Sequence, residues 1–564
     1  MPSSKLRRAN RWSARTVDAV SHPMHRVAVP MPERRSQLKL SAQFNVVEEL
    51  LGKNVRSSPN SPALQLISPE TLQIARTITY EILEKQVNLI GNALSRSGVE
   101  REQRVAIMLN DGLEFVATFL ASMKIGAVPI LFSTYLGEEQ LLFLLNDSRA
   151  KALFVETDLV GKLHNIEPKI EFTKHFVSEK KTDCTVSYDE FLRGSSDKLD
   201  TTNTSKDDVA FWFFTSGSTG IPKGVVHLHH DLYYAGLTYY DDVLHASPED
   251  RFLSGAKLFF SAGLGFGLYG PLIMGASTIL YPGKPSANVM LSILQSAKPT
   301  AFLAVPTLYA QISKLLETTP VDLSTVRVFA TGGESLSPRV FEDWKARTGS
   351  EITEAIGSAE VGHHYISNIL GNARSNTCGK LMGGYEAKIV DDEGRELGPN
   401  QIGKLLVKGE SSFVYYWHMH EATKRTIIGE WINTGDLFYR DDEFYFHFCG
   451  RTDFSFKIHG LWVSPIEIEN AIMDTRLVSE CCVVSIEGQD GISIPIAYLV
   501  PKETSGYESQ LEAEITTRLG GTLSKYKIPR KYVFVQSLQK TNVGKIDRST
   551  ISKSARESVR IQQH

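Results

Sequence analysis

Cysteine is scarce in this chain and long apolar runs are missing. The five cysteines among 564 residues, Cys184, Cys378, Cys449, Cys481 and Cys482, are odd in number and lack zinc-type spacing. That excludes a disulfide-built secreted scaffold and leads us to expect a reduced, cytoplasmic setting. Cys481 and Cys482 fall in a run, Cys-Cys-Val-Val-Ser-Ile, that reads as a buried strand, so a core role is expected of them. The longest apolar run, 116–132, is broken by Lys124 and Gly126, and no membrane span is expected. Charge of one sign is also lacking. Lys and Arg number 61 against 64 Asp and Glu, a formal −3 without the clustered positive excess of a nucleic-acid binder.

What is present is ordinary for a globular enzyme: 42% hydrophobic residues, 22% charged residues and 42 glycines. At about 150 residues per domain the length allows three or four compact units, or one large domain with a smaller partner. The first 40 residues stand apart, with nine Lys or Arg against Asp18 and Glu33. They read as a basic, disordered extension, with an organelle transit segment as an alternative. Apolar periodicity begins at Phe44, Val47, Leu50 and Leu51.

From Thr79 onward helical and strand patterns alternate as in a layered α/β domain. An amphipathic helix runs through Leu89 and Leu94, residues 105–109 form a strand, 115–123 a helix and 127–131 a second strand. Polar residues 193–206 separate this part from the next. Beyond them come an apolar lead at 256–260 with a glycine-rich turn (Gly263, Gly265, Gly267, Gly270), a strand over 300–309 and a strand over 326–330. The last delivers Thr331-Gly332-Gly333-Glu334 at a carboxyl end, where open α/β sheets bind ligands.

The centre of the chain is 211–224, Phe-Trp-Phe-Phe-Thr-Ser-Gly-Ser-Thr-Gly-Ile-Pro-Lys-Gly. Phe211 to Phe214 read as a buried strand that empties into a phosphate cradle. Gly217, Gly220 and Gly224 free the backbone to turn N–H groups toward an anion. Thr215, Ser216, Ser218 and Thr219 add hydroxyl donors, and Lys223 adds a cation. It is not a Walker loop, because no Gly-Lys-Ser/Thr ends it and Pro222 stands where that motif starts its helix. The bland alternative, a surface hairpin of small residues, fits poorly with the buried strand ahead of it.

Three further segments place polar groups after apolar leads. Ala355 to Glu360 ends in a Gly-Ser turn and a carboxylate suited to the Mg²⁺ of a nucleotide triphosphate. Trp431 to Asp436 sets a carboxylate after a tight turn, and Gly450-Arg451-Thr452-Asp453 follows aromatic strands. Near the end, 540–548 puts Lys545 in a polar loop.

Together these motifs resemble the adenylate-forming superfamily of acyl-CoA synthetases, adenylation domains and luciferases, over about 44–548. Within it, 256–260, 305–309, Gly357-Ser358 and 456–467 look most like the benzoate-CoA ligase branch. The resemblance implies a large α/β AMP-binding domain of several subdomains at 41–451 and a small, mobile α+β domain at 453–564. It implies that a carboxylic acid, benzoate-like, is joined to ATP as an acyl-AMP and passed to CoA as a thioester. Two anions must meet, so the site has to gather cations and N–H donors and exclude water. ATP, Mg²⁺ and coenzyme A are the implied cofactors. The partners are then small molecules, with neither nucleic acid nor a membrane span, and the oligomeric state stays open, a homodimer included.

By motif match, Lys223 and the hydroxyl loop from Thr215 through Gly220 hold the β- and γ-phosphates, and Glu360 holds the Mg²⁺. Asp436, helped by Arg451, takes the ribose, while Gly332, Gly333 and Glu334 line the adenine. Lys545 bridges the carboxylate and the α-phosphate. Asp453 is the hinge about which the small domain turns, bringing Lys457 to Gly460 toward the CoA channel. Phe260, Ala262, Gly263, Phe266, Gly357 and His363 line the acyl pocket.

Several positions depart from the pattern. Ala359 replaces the usual Thr before the Mg²⁺ glutamate, with Ser358 beside it as a substitute hydroxyl. Ala262 and Phe266 stand where the branch has Tyr and Asn, which opens volume and removes a hydroxyl, as for an acid larger than benzoate, substituted, or not aromatic at all. Phe454 and Gln539 replace a common Asp and Pro. Two other functions stay in view: an adenylation enzyme loading a carrier protein, and an ATP-binding protein with degraded activity.

Overall fold

The computed structural model describes residues 38–215, 222–458, 461–487, 493–502, 508–540 and 546–562. Two large sheets dominate. One has eight strands in the spatial order Tyr415–Tyr416, Lys223–Leu228, Val209–Thr215, Val128–Leu131, Arg104–Met108, Ala152–Val155, His175–Ser178 and Val186–Ser187. The run Phe211 to Phe214 forms the expected strand, parallel to Val128–Leu131 and antiparallel to Lys223–Leu228. Because both faces of this strand are covered, Phe211, Trp212 and Phe213 are all buried, which explains a continuous aromatic run rather than an alternating one.

The second sheet has nine strands, with the parallel series Ser277–Leu280, Arg251–Ser254, Ala301–Leu303, Val328–Thr331 and Ile352–Gly357 at its centre. Helices cover it: Ala287–Ala297, Pro306–Leu315 and Pro338–Thr348 pack Ile293, Tyr309 and Trp344 into one apolar cluster. Helix Tyr80–Arg96 starts where the sequence implies, with Thr79 as its N-cap accepting the Ile82 N–H. A third sheet of five strands carries Trp431–Arg440 and Phe446–Arg451, and a three-stranded sheet with helices Pro465–Asp474, Glu508–Gly520 and Arg548–Gln562 forms the C-terminal part. Cys481 and Cys482 lie buried in its strand Val478–Glu487. Among the described residues no helix is long and apolar enough to cross a membrane.

Three expectations need correction. The strand expected over 300–309 ends at Leu303, and Pro306 opens a helix that includes Tyr309. Its fixed φ and missing N–H suit the first helical turn better than a strand. The glycine-rich turn is helical throughout, as Ser261–Leu264, Gly265–Tyr269 and Gly270–Ile273 follow without a break. Its glycines serve close approach: a Cβ on Gly263 would stand 2.0 Å from the Lys257 carbonyl oxygen, and one on Gly265 would stand 2.4 Å from His363 Nε2. Residues 431–436 do not turn either. They belong to the strand Trp431–Arg440, whose register shifts where Gly435 adopts a φ of 73°.

Candidate active site

The carboxyl ends of both large sheets face one region. Thr215 ends its strand opposite Lys223, which begins the next. Ser216, Gly217, Ser218, Thr219 and Gly220 of the cradle lie outside the described residues, as do Gly460 and Lys545. The Lys223 ammonium stands 5.0 Å from the centre of the Tyr416 ring. Tyr416, in turn, donates its hydroxyl hydrogen to Glu360 Oε1 at 2.6 Å. Lys223 and Glu360 are thus joined through a tyrosine that sequence motifs did not reveal. Burial, with the Glu360 carboxylate next to it, holds the Tyr416 hydroxyl well above the usual range, so it stays a donor.

Glu360 sits on the short turn Ala359–Val361 that follows strand Ile352–Gly357. Four successive carbonyls of this turn are each held by a different donor. His227 Nε2 lies 2.7 Å from the oxygen of Ala359, and the Phe413 N–H reaches that of Glu360 at 2.7 Å. The Ser411 hydroxyl donates to Val361 at 2.8 Å, and Tyr269 to Gly362 at 3.3 Å. Such pinning fixes a backbone that no regular ladder holds. Ser358 Oγ is buried at the head of the turn without a hydrogen-bond partner among the described residues.

Asp436 and Arg451 face each other across paired strands, Arg451 Nη1 donating to Asp436 Oδ1 at 2.9 Å and to the Thr434 carbonyl at 2.9 Å. Gly435, at a positive φ, leaves room for the guanidinium because it has no Cβ, which would come within 2.8 Å of Arg451 Nη2. Burial pushes the Asp436 carboxyl up to about 6, with Glu360 adding to the rise and Arg451 opposing it. Tyr365, also unread in the sequence, is fully buried; its hydroxyl feels Asp436 and Glu360 and has no partner among the described residues.

Gly332, Gly333 and Glu334 follow strand Val328–Thr331, with Gly332 packed so that a Cβ would stand 3.0 Å from His364 Nε2. One strand over, Glu354 is buried. Its Oε1 accepts the Leu336 N–H at 3.1 Å, and burial lifts its carboxyl to about 8.

The expected acyl-pocket residues divide in two. Phe260, Ala262 and Gly357 are half-buried, whereas Gly263, Phe266 and His363 are interior. Phe266 packs its ring on Phe252 at 5.1 Å, and His363 meets the Tyr240 hydroxyl at 2.6 Å through Nε2. Burial keeps His363 well below the usual histidine range, hence neutral. Behind Phe260, the Lys257 ammonium is enclosed by Asp111 Oδ2 at 3.1 Å and the carbonyls of Tyr281 and Pro282, which holds the segment from Ala256 to Ala262 in place.

Asp453 is exposed between strands Phe446–Arg451 and Phe456–Ile458. Lys457 forms an ion pair with Asp392 and lies 4.7 Å from the Trp462 ring.

The comparisons fit this arrangement. Residues 51–417 match the AMP-binding enzyme family, and 467–545 match the AMP-binding enzyme C-terminal domain. The chain is 33% identical to the benzoate–CoA ligase of Thauera aromatica over 94% of its own length and 98% of that protein. It superposes with a TM-score of 0.86 on the anthranilate CoA ligase AuaEII in complex with anthranoyl-AMP, at 32% identity, covering 92% of this chain and 99% of that one. A benzoate CoA ligase from Burkholderia xenovorans LB400 gives a TM-score of 0.81 at 30% identity, over 90% and 100% of the two chains. Enzymes of this kind use ATP, Mg²⁺ and CoA to convert a carboxylic acid, by way of an acyl-AMP, into a CoA thioester. This chain therefore belongs to the AMP-binding enzyme family and is an AMP-forming acyl-CoA ligase.

Proposed function

We propose that the acid is an aryl carboxylate of benzoate type, bulkier or more substituted than benzoate itself. The observation that carries this is the position of Ala262 and Phe260. Both are half-buried, Phe260 as the cap and Ala262 in the first turn of the helical segment whose Gly265 packs on His363, one turn of chain from Glu360. An aromatic ring against Phe260 and the Gly357 backbone would bring its carboxylate toward the phosphates, and the small Ala262 leaves room for a substituent.

In this reading Thr215, Ser216, Gly217, Ser218, Thr219, Gly220 and Lys223 take the β- and γ-phosphates. Asp436 accepts the ribose hydroxyls, oriented by Arg451, and Gly332, Gly333 and Glu334 border the adenine. The hard oxygen donors at the turn suit Mg²⁺: Glu360 keeps one carboxylate oxygen on Tyr416, and the Ser358 hydroxyl is unclaimed among the described residues. Glu360 would hold that ion, which when bound neutralises phosphate charge. Lys545 then bridges the attacking carboxylate and the α-phosphate, offsetting the repulsion of two anions. Neutral His363 walls the pocket without competing for either proton or charge.

The division at 41–451 and 453–564, with Asp453 as hinge, would let the small domain withdraw Lys545 after adenylation and turn Lys457 and Gly460 to the CoA side. The ion pair of Lys457 with Asp392 is one contact such a rotation would exchange.

The test is pyrophosphate release with Mg-ATP and a panel of benzoate, hydroxy- and aminobenzoates, cinnamates, and cyclic and short aliphatic acids, with and without CoA. Release with a substituted aryl acid, and thioester only when CoA is present, is the expected outcome. Preference for an aliphatic acid overturns the aryl reading. With Ala262→Tyr, kcat/KM for the bulkiest accepted acid is expected to fall about tenfold or more relative to benzoate.

A further inference from the structure

Lys223 and His227 lie on one strand, and both lead to the turn that carries Glu360: Lys223 by way of Tyr416, His227 by direct contact. His227 is fully buried, its ring stacked on Phe211 at 5.2 Å and 15° and tilted against Phe213 at 5.5 Å. Nδ1 lies 2.8 Å from Asp231 Oδ2, on the helix His229–Gly236 that follows the strand. Nε2 lies 2.7 Å from the Ala359 carbonyl oxygen. Asp231 is itself buried and also accepts the Leu228 N–H at 3.0 Å.

A carbonyl oxygen only accepts, so Nε2 carries a hydrogen and donates it to Ala359. Nδ1 faces Asp231 Oδ2 as the ring's second hydrogen bond, and a flipped ring would turn C–H groups toward both acceptors. The alternative is a core histidine whose hydrogen bonds are satisfied by chance. The two readings differ in one respect: a merely structural histidine has no reason to affect ATP binding only when Mg²⁺ is present. What the buried pair adds is the placement of one carbonyl. Ala359 has no polar side chain of its own, and His227 is the side-chain donor that reaches its carbonyl, one residue ahead of Glu360.

We propose that His227, oriented by Asp231, is a positioning residue for Glu360: it sets the approach of that carboxylate to the nucleotide's metal ion and so governs Mg²⁺-ATP binding. This rests on the reading of Glu360 as the residue that holds the ion.

The experiment compares His227→Leu, His227→Gln, Asp231→Asn and Glu360→Gln in the full chain. ATP affinity is measured by calorimetry in Mg²⁺ and in EDTA, and thioester formation is followed from CoA and the supplied acyl-AMP of an accepted acid. His227→Leu is expected to weaken ATP binding about tenfold in Mg²⁺, the effect of one lost hydrogen bond on a placed ligand, and to leave binding in EDTA unchanged. Thioester formation from supplied acyl-AMP should persist. His227→Gln, which keeps a donor for Ala359, should recover most of the loss, and Asp231→Asn should fall between. Equal weakening in Mg²⁺ and EDTA, or loss of thioester formation, overturns the proposal in favour of a structural role. If Glu360→Gln shows the Mg²⁺-specific loss and His227→Leu does not, the positioning role alone falls. If neither shows it, the assignment of Glu360 falls with it.

Discussion

Tyr416 donates its hydroxyl to Glu360 Oε1 at 2.6 Å from a two-residue strand that pairs with the strand opening at Lys223. One side chain therefore touches both the Lys223 cation and the Glu360 carboxylate, beside the segment proposed to bind phosphate. A hydrogen bond to a charged group contributes about 1.5–3 kcal/mol. Tyr416→Phe should keep the ring beneath Lys223 and lose only the donor. We expect kcat/KM for Mg-ATP in pyrophosphate release to fall about tenfold or more, with melting temperature nearly unchanged. An unaltered kcat/KM would mean that Glu360 needs no such orientation.

Asp436 supplies a pH test. Its carboxyl is lifted to about 6, chiefly by burial and further by Glu360, against the pull of Arg451. Below that value it is protonated and, in its proposed role, a poorer acceptor for ribose hydroxyls. ATP affinity should therefore weaken as pH falls through about 6, by at most about tenfold per unit. Asp436→Asn should bind weakly and show a shallower profile between pH 5 and 8, leaving only the titration of ATP itself. Calorimetry across that range checks both.

Glu354 bears on stability. Burial raises its carboxyl from 4.5 to about 8. Between those values the folded chain keeps a proton that the unfolded chain has released. The contribution of Glu354 to stability is therefore fully present below about 4.5 and declines as pH rises toward 8, by at most about 1.4 kcal/mol per unit. Glu354→Gln has no proton to lose. Its melting temperature should fall less than that of the parent between pH 5 and 8.5, and parallel curves would show that Glu354 does not titrate there.

The Lys257–Asp111 pair is nearly dry, each side chain under a tenth exposed. Lys257→Met leaves Asp111 buried without its partner and is expected to cost about 3–5 kcal/mol, read as a lower denaturation midpoint. Adding Asp111→Asn should recover much of the loss. Because the pair backs Ala256 to Ala262, the single variant should also raise KM for the acid more than KM for ATP.

Much of the site could be read from the chain because its pieces are local. An apolar strand followed by glycine, hydroxyl and charge at Thr215, Glu360 and Thr331-Gly332-Gly333 announces a ligand-binding carboxyl end, and each of these strands is where the pattern put it. The failures were local too. Glycines at 263–270 suggested a turn because glycine breaks helices in isolation, yet here they let a helix approach Lys257, His363 and Tyr240. Gly435 suggested a turn and instead kinks a continuous strand to admit Arg451.

The sequence by itself determined the chemistry class, since residues 215–224, Glu360, Asp436 and Gly450 to Asp453 each carry their meaning within a few neighbours. Tertiary structure alone decided what orients them. Tyr416 is 56 positions from Glu360, and His227 is 132 positions from Ala359. No periodicity or motif links such pairs. They meet because the turn lies where a strand, a helix and a loop converge, and its carbonyls must find donors wherever the fold supplies them.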